Sequence, residues 1–278
     1  MRPSEETAVA EENHPGSNPR PLSELTALKP RELREAIRRG EWTQRMHGLG
    51  LGYTMSNLAV LPSEYAYDFL LFCQRNPLPC PVMEVTDKGS PVPRRYAPSA
   101  DLRTDLPRYR VFEHGRLVDE PTDIIRYWNS DFVAFLLGCN LTCAGAMERA
   151  GVPMTTSVLY VSNIPCRPAG RFSGPVIVSM RRVPRDRVTR AVQVTSRFPN
   201  THGAPLHIGD PAAIGIDDMS KPWFGIAPTF EPNEVPVFWA CGVTPQSAAL
   251  EAKLPIMITH APGHMFVTDA LDEETAAL

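Results

Sequence analysis

The stretch Phe132-Val133-Ala134-Phe135-Leu136-Leu137-Gly138-Cys139-Asn140 decides the fold class of this chain. A continuous apolar run of this length is typical of a strand that is buried on both faces, and here it ends in a short polar loop. The same order recurs at 237–240 before Cys241, and at 256–259 before His260. We therefore predict an α/β protein in which ligands bind beyond the carboxyl ends of these strands.

Periodicity and capping residues predict the other elements along the chain. Helices are predicted at 30–39, at 63–76, after Gly138 as far as Ala150, at 187–194, and after Pro245. Further strands are predicted at 81–86 and 176–180, and a hairpin is predicted to join 109–113 to 116–118.

These elements predict two lobes and a tail. The larger lobe is a three-layer α/β/α domain with a mixed sheet, made of residues 21–75 and 126–278. Residues 76–125, which contain the hairpin, are predicted to form a smaller inserted α+β lobe. Residues 1–20 are rich in Glu, Pro, Asn and Ser, so we predict a disordered tail there.

Charge and composition limit the kinds of partner. The formal net charge is -3 and the arginines are scattered among acidic residues, so we expect no nucleic-acid partner. No apolar run approaches the roughly 18 residues that cross a bilayer, and the acidic N-terminus has no apolar signal core. We expect a cytoplasmic protein with no membrane partner, in which the six cysteines are reduced thiols. A homo-oligomer is compatible with the sequence.

The Pro- and Gly-rich segment at 162–175 is the first candidate for chemistry. It places Arg167 and Arg171 beside Cys166, with Asn163 a few residues earlier. Forked guanidinium donors on a rigid loop suit a small carboxylate or phosphate. Neighbouring cations also lower the pKa of a thiol, which would suit a nucleophile or a proton carrier. A structural loop whose arginines form ion pairs remains the alternative.

Histidines in Pro- and Gly-rich loops are the second candidate. His202, His207, His260 and His264 all lie in such loops, and Asp210 follows His207 closely. Imidazole titrates near neutral pH and is a natural proton carrier. The alternative for each histidine is that it fixes its loop by hydrogen bonds. A composite metal site with Asp210 or Asp269 is a further alternative, although the spacings do not favour it, and we expect no bound metal.

The turn at Cys241-Gly242-Val243-Thr244-Pro245 is the third candidate. It lies between a buried strand and a predicted helix, so its backbone N–H groups and Thr244 could hold an anion. The chain contains no GxGxxG, Walker loop, GxSxG or HExxH motif. Nicotinamide, nucleotide-phosphate and serine-hydrolase functions are therefore disfavoured, and we expect no cofactor.

Several stretches match a known family over about residues 35 to 270. They are Gly52-Tyr53, Asn57-Leu58-Ala59-Val60-Leu61-Pro62, Tyr65-Ala66-Tyr67-Asp68-Phe69-Leu70-Leu71-Phe72-Cys73-Gln74-Arg75-Asn76-Pro77, Asp101-Leu102-Arg103-Thr104-Asp105-Leu106-Pro107, Asn163-Ile164-Pro165-Cys166-Arg167-Pro168-Ala169-Gly170, Ser196-Arg197-Phe198-Pro199, His202-Gly203-Ala204-Pro205, His207-Ile208-Gly209-Asp210-Pro211, Phe238-Trp239-Ala240-Cys241-Gly242-Val243-Thr244-Pro245-Gln246 and Thr259-His260-Ala261-Pro262-Gly263-His264-Met265. With these residues the chain resembles the bacterial proteins provisionally named hydro-lyases, which are grouped with the D-glutamate cyclases.

The resemblance implies a two-lobed α/β fold and a ring closure that eliminates water. The family's cyclase takes D-glutamate to 5-oxo-D-proline, so the implied partner is a small-molecule carboxylate. Lactam formation needs a base for the amine, an acid for the leaving hydroxyl and a site for the oxyanion. Our candidate catalytic residues are His202 or His260 as base, His264 or Asp210 as acid, and Cys166. Our candidate substrate-binding residues are Asn163, Arg167, Arg171, Cys241, Gly242 and Thr244.

Two other functions remain open from the sequence. The same arginines would serve a binding or accessory protein that recognises an amino acid or its lactam without turnover. The four loop histidines would serve a metal-dependent hydrolase.

Overall fold

The computed structural model describes residues 20–154 and 157–277. Within these ranges the chain forms six α-helices, which are Leu22–Leu25 (α1), Pro30–Arg38 (α2), Ser63–Arg75 (α3), Ala144–Arg149 (α4), Val188–Ser196 (α5) and Thr244–Ala252 (α6). Five of these helices were predicted from the sequence. The predicted disordered tail, residues 1–20, lies outside the described residues except for Arg20, whose backbone N–H donates to the carbonyl of Glu41.

The described strands form two sheets. The first contains Tyr53–Pro62 (β1), Val82–Val85 (β2), Tyr109–Glu113 (β3), Arg116–Asp119 (β4), Phe132–Gly138 (β5), Met257–His260 (β10) and Phe266–Leu271 (β11). Its order is β2-β5-β1-β10-β3-β4, and β11 pairs with the beginning of β1. The second contains Val158–Pro165 (β6), Pro175–Pro184 (β7), His207–Ile208 (β8) and Glu234–Ala240 (β9), in the order β6-β7-β9-β8.

The α/β fold class is confirmed, but the strand directions differ from the prediction of a mixed sheet. Every pairing between described strands is antiparallel. Short links account for part of this difference, because tight turns join antiparallel neighbours. The predicted His114-Gly115 turn between β3 and β4 is confirmed, with both residues at positive φ. The three-layer arrangement stays a prediction.

The register of β1 brings two strand ends together. Because β5 and β10 both pair antiparallel with β1, they run in the same direction on either side of it. Gly138 at the end of β5 faces Ser56, and Thr259 near the end of β10 faces Ala59. The carboxyl ends of β5 and β10 therefore meet at the same part of β1.

The main core lies between the two sheets and α3. Alternate residues of β1 and β5 point into it, and Phe69 of α3 contacts Phe135 edge to face with ring centroids 4.8 Å apart. Burying each such phenyl ring stabilises the fold by roughly 1.5–3 kcal/mol. The opposite face of the first sheet, including Leu58 and Val60, packs on a second core with residues of the 97–124 segment. As predicted, β5 is buried along its whole length.

Segment 76–125 contributes three strands, β2, β3 and β4, to the first sheet. β2 pairs with β5 and β3 pairs with β10, so the predicted smaller lobe shares its sheet with the predicted larger one. The domain boundaries themselves stay a prediction. None of the helices in the described ranges has the length and apolar character needed to span a bilayer.

Candidate active site

A cleft opens where β5, β10 and β9 end, and it reaches both sheets. Its volume is about 70 Å³. A space of this size holds on the order of five water molecules and so suits a small ligand. The residues that line it include Arg45, His47, Asn57, Cys139, Asn140, Ser179, Phe224, Cys241, Gly242, Val243, His260 and Gly263. Chain-distant loops thus supply cations, amides, thiols and imidazoles to one small space.

His260, the last residue of β10, lies in the wall of the cleft and is buried. Its Nδ1 lies 3.2 Å from the backbone nitrogen of Leu58 and 3.4 Å from the Leu58 carbonyl oxygen, at the point where the β1–β10 ladder ends. In the tautomer whose Nδ1 accepts from the Leu58 N–H, the proton of the neutral ring is on Nε2. Burial lowers the pKa of His260 to about 4, and the charges of His264 and Arg110 act in the same direction. The ring is therefore neutral near pH 7, and in this tautomer it is a hydrogen-bond donor at Nε2.

The turn from Cys241 to Thr244 links β9 to α6, and its first three residues line the cleft. The N–H groups of Gly242 and Val243 face the Cys241 sulfur and act to lower its pKa, but burial outweighs them and raises the pKa to about 11. Cys241 is therefore a neutral thiol near pH 7. The Thr244 hydroxyl donates to the Cys241 carbonyl at 2.7 Å and accepts from the N–H of Ile177 at 3.2 Å. This hydroxyl holds the shape of the turn.

Asn57 of β1 and Gly242 lie in unusually close contact. The Asn57 Nδ2 donates to the carbonyl of Gly138 at 2.6 Å. A Cβ atom on Gly242 would lie 1.8 Å from that same Nδ2, so only glycine allows this approach. The contact ties the turn after β9 to the end of β5 through one side chain of β1.

Gly242→Ala is expected to lower the free energy of unfolding by about 2 kcal/mol, because the new methyl group must displace Asn57 from its buried hydrogen bond. In an Asn57→Ala background the same change should cost no more than about 0.5 kcal/mol, since the obstructing amide is gone. Urea denaturation of the four proteins measures the coupling. Equal costs of Gly242→Ala in both backgrounds would refute the contact.

Arg45 places a positive charge at the rim of the cleft. Arg45 and His47 line it, and the Arg45 guanidinium lies over the Phe224 ring at 5.2 Å. Desolvation, followed by the charges of Arg181 and Arg45, lowers the pKa of His47. Arg181 of β7 is buried, and its charge acts on the thiols of the neighbouring cysteines. An anionic ligand is therefore favoured over a cationic one.

Two further polar groups complete the wall. The Asn140 Nδ2 donates to the Ser179 hydroxyl at 2.6 Å, which links the loop after β5 to β7. Burial raises the pKa of Cys139 to about 12, so this thiol is neutral near pH 7.

Comparison with known proteins agrees with the sequence resemblance. The family model described as D-glutamate cyclase matches residues 133–269. A protein of Geobacillus kaustophilus with the provisional name hydro-lyase is 55% identical over 257 residues, which cover 90% of this chain and 98% of that protein. A protein of the same provisional name from Bacillus subtilis is 51% identical, covering 90% of this chain and 100% of its own length. The chain belongs to the D-glutamate cyclase family, which includes these hydro-lyases.

Membership of the hydro-lyase family supports a lyase class for this chain. A third relative, from Bacillus licheniformis and of the same provisional name, is 54% identical over 91% of this chain and 99% of its own. Among solved structures, a nitrogen repressor-like protein from Methanococcus jannaschii covers 73% of this chain and 80% of that one, at a TM-score of 0.37 and 13% identity. At that score the likeness does not bear on the fold.

Of the hydro-lyase residues predicted from the sequence, the structure brings Cys241, Gly242 and His260 together in the cleft. Thr244 is not among the residues that line the cleft, and its hydroxyl holds the turn by hydrogen bonds. His264 is close to His260, which it influences electrostatically, but its Nδ1 lies 3.0 Å from the carbonyl of Pro262. Burial lowers the pKa of His264 to about 4, so it is not charged near neutral pH.

His202 and Asp210 lie elsewhere. The His202 Nδ1 is 2.7 Å from the carbonyl of Leu78, and the fully buried ring packs behind Gly138 rather than lining the cleft. The Asp210 carboxylate accepts from the N–H of Ala212 and caps a short 3-10 turn, while its carbonyl lies 2.6 Å from His207 Nε2. In these contacts His202, His207 and Asp210 fix their loops by hydrogen bonds.

The loop between β6 and β7 also lies away from the cleft. Cys166 is buried in the main core, and burial raises its pKa to about 11. The backbone of Arg167 bonds to the Asn76 amide, and the Arg171 guanidinium lies over the ring of Tyr65 at 5.5 Å. Asn163 is exposed beside Gly215. Their predicted roles in binding and catalysis therefore do not enter our proposal.

The metal-dependent alternative required the loop histidines to converge. Within residues 20–154 and 157–277, no group of three or more His, Cys, Asp or Glu side chains is arranged to hold a metal ion. Of the four histidines, only His260 lines the cleft.

Reasoning from the sequence missed Arg45, His47, Asn57, Asn140, Ser179 and Arg181. Arg181 had a local signal, because it is a charged residue at the end of the apolar stretch of β7. Asn57 lies likewise within a buried part of strand β1. A polar residue in a buried strand needs a partner, and so indicates a site or a structural bond.

Acid is expected to destabilise the fold through the buried histidines. Burial lowers the pKa values of His202, His260 and His264 to about 4, whereas an unfolded histidine titrates near pH 6.5. Their contribution is complete above about pH 6.5 and is lost as the pH falls towards 4. Each histidine should cost about 1.4 kcal/mol per pH unit in that window. Urea denaturation at pH 7, 6 and 5 measures the slope, and a flat profile would contradict it.

Proposed function

We propose that this chain is a hydro-lyase that converts D-glutamate to 5-oxo-D-proline and water in the cleft. The observation that carries the proposal is the convergence of the neutral His260 imidazole with Gly242 and Val243 of the turn in a small space bordered by Arg45 and His47. The family match to D-glutamate cyclase supports the choice of substrate. An amino acid with two carboxylates suits the positively charged rim.

The reaction closes a five-membered ring. The substrate amine, in its neutral form, attacks the carbon of the γ-carboxyl group and forms a C–N bond. The tetrahedral intermediate then breaks one C–O bond. The substrate enters the cleft with an ammonium group and two carboxylates. The nitrogen gives up one proton before it attacks and a second after the C–N bond forms, and the departing γ-oxygen takes up both, so the net products are the lactam anion and one water molecule. Holding both ends of one substrate in a bent conformation lowers the barrier by several kcal/mol.

Each cleft residue donates hydrogen bonds to one part of the substrate. Arg45 and His47 at the rim hold the α-carboxylate, because a guanidinium and an imidazole both donate to carboxylate oxygens. The amides of Gly242 and Val243 donate to the oxygen that gains negative charge at the γ-carbon. His260 serves as a second donor to that oxygen through Nε2, which differs from the role of base considered from the sequence. A neutral imidazole donates without taking the proton itself.

Direct assay tests the proposal. The purified chain is incubated with D-glutamate and, separately, with L-glutamate, and 5-oxoproline is followed by chiral chromatography. We expect product from the D enantiomer. Arg45→Met should raise KM by about tenfold or more, because one charge-assisted contact to the α-carboxylate is lost.

Arg167→Met is the matched control, since Arg167 is an exposed cation outside the cleft. It should leave both KM and kcat unchanged. Calorimetric binding of D-glutamate with no product after long incubation would instead support the accessory-protein alternative. If D-glutamate neither binds nor gives product, the substrate assignment is refuted.

A further inference from the structure

A second, larger cavity lies beside the cleft. Its volume is about 210 Å³, and it shares His47 and Leu141 with the cleft as a common wall. The loop before β1 forms one side of it, and the beginning of α4 forms another. The proposed reaction makes no use of this space.

The surface of the cavity is mainly apolar. Met46, Leu49, Met55, Leu141 and Met154 contribute side chains to it. Thr142 also lines it, but its hydroxyl accepts from the N–H of Met55 at 3.0 Å and lies 3.3 Å from the Met55 carbonyl. Flexible methionines adapt to ligands of different shape. These walls favour an aliphatic group over a polar one.

A cation lies in the same wall. Arg181 lines the cavity with only 4% of its surface exposed. Burial lowers its pKa, but a guanidinium remains charged in proteins. The thiols that act on it, Cys139, Cys143 and Cys241, have pKa values raised by burial to between about 11 and about 12 and are neutral near pH 7. Arg181 thus brings a positive charge to the wall of the cavity, and a carboxylate is the ligand group that a guanidinium favours.

We propose that the larger cavity binds a short aliphatic carboxylic acid as its anion, separately from the substrate. The carboxylate lies towards Arg181 and the aliphatic chain lies among the methionines and leucines. Glu148 is exposed at the edge of the cavity, so the acidic end of the ligand is directed inward and away from it.

Isothermal titration of the full chain with sodium hexanoate tests this site, with hexanamide as the neutral analogue of matched shape. We expect hexanoate to bind at least about tenfold more tightly than hexanamide, because the amide forms no ion pair with Arg181. Across propanoate, butanoate, pentanoate and hexanoate, affinity should rise by about threefold to fourfold per methylene. D-Glutamate in excess should leave hexanoate binding in place.

Two variants test the charge of Arg181 and the volume of the cavity separately. Arg181→Met should abolish the preference for hexanoate over hexanamide. Gly145→Leu should remove binding of both ligands, because its side chain enters the cavity. A Cβ at Gly145 meets only the exposed end of the Arg149 side chain, Nη1 at 3.2 Å, so the fold should tolerate the change. D-Glutamate turnover should be unaffected in Gly145→Leu.

The titrations require no turnover, so they remain decisive whether or not D-glutamate is the substrate. Equal affinities for hexanoate and hexanamide in the native chain would overturn the proposal. So would the absence of a chain-length effect, or full displacement of hexanoate by D-glutamate.

Discussion

His260→Asn is expected to lower kcat with D-glutamate by about 10²–10³-fold while leaving the fold intact. Removing one donor to a developing oxyanion has an effect of this size. Asparagine keeps an acceptor near the position of Nδ1, so the N–H of Leu58 retains a partner, but it has no atom in place of Nε2. The comparison is made by single-turnover kinetics together with urea denaturation.

His260→Gln is the complementary variant. Its amide reaches towards the position of Nε2 but leaves the Leu58 N–H without its acceptor. We expect kcat within about tenfold of the native value and a loss of about 1–3 kcal/mol in the free energy of unfolding. His114→Asn, in the exposed turn after β3, is the control and should change neither quantity. If His260→Asn and His260→Gln lose the same activity, the assigned role of Nε2 is wrong.

Gly138→Ala is expected to destabilise the fold by about 3 kcal/mol, the largest stability effect that we predict for one methyl group. A Cβ there would lie 1.8 Å from the backbone oxygen of Asn200 and 2.9 Å from the Cα of Thr201. The obstruction is backbone, so no side-chain rotation relieves it. The loop at 199–203 must move as a whole, and the buried His202 moves with it.

Activity should fall in Gly138→Ala as well, because the Gly138 carbonyl accepts from Asn57 in the cleft. Gly145→Ala is the matched control. Gly145 lies inside α4 and its added methyl would meet only the Arg149 side chain, so alanine should stabilise this helix by up to about 1 kcal/mol. Thermal unfolding and urea denaturation measure both variants. A cost below about 1 kcal/mol for Gly138→Ala would contradict the contact.

The elements themselves were largely predictable because their signals are local. The apolar run of β5 predicted a strand buried on both faces, and Ser63 and Pro77 bounded a helix close to the observed α3. A prediction for Asp210 could also have been made locally, since an aspartate before a proline is a common N-cap. Its role as a cap is therefore readable without coordinates.

The partners of the cleft residues were not predictable in the same way. Asn57 meets Gly138 and Gly242 only because β5 lies beside β1 in one register and the turn after β9 approaches from the other sheet. A shift of one residue would direct Asn57 to the opposite face. Strand order of this kind has no short-range signal, so the sequence pointed to Arg167 and His202 and missed Arg45 and His47.

The sequence by itself determined the family, the positions of most helices and strands, and the two turns at Cys241 and His260 that carry polar groups after buried strands. These depend on periodicity and on residues close together in the chain. Only the tertiary structure decided which loops share a cleft, that burial keeps His260 neutral, and that Arg181 lies in the wall of a second cavity. Each of these depends on burial and on contacts between distant segments, which no local pattern contains.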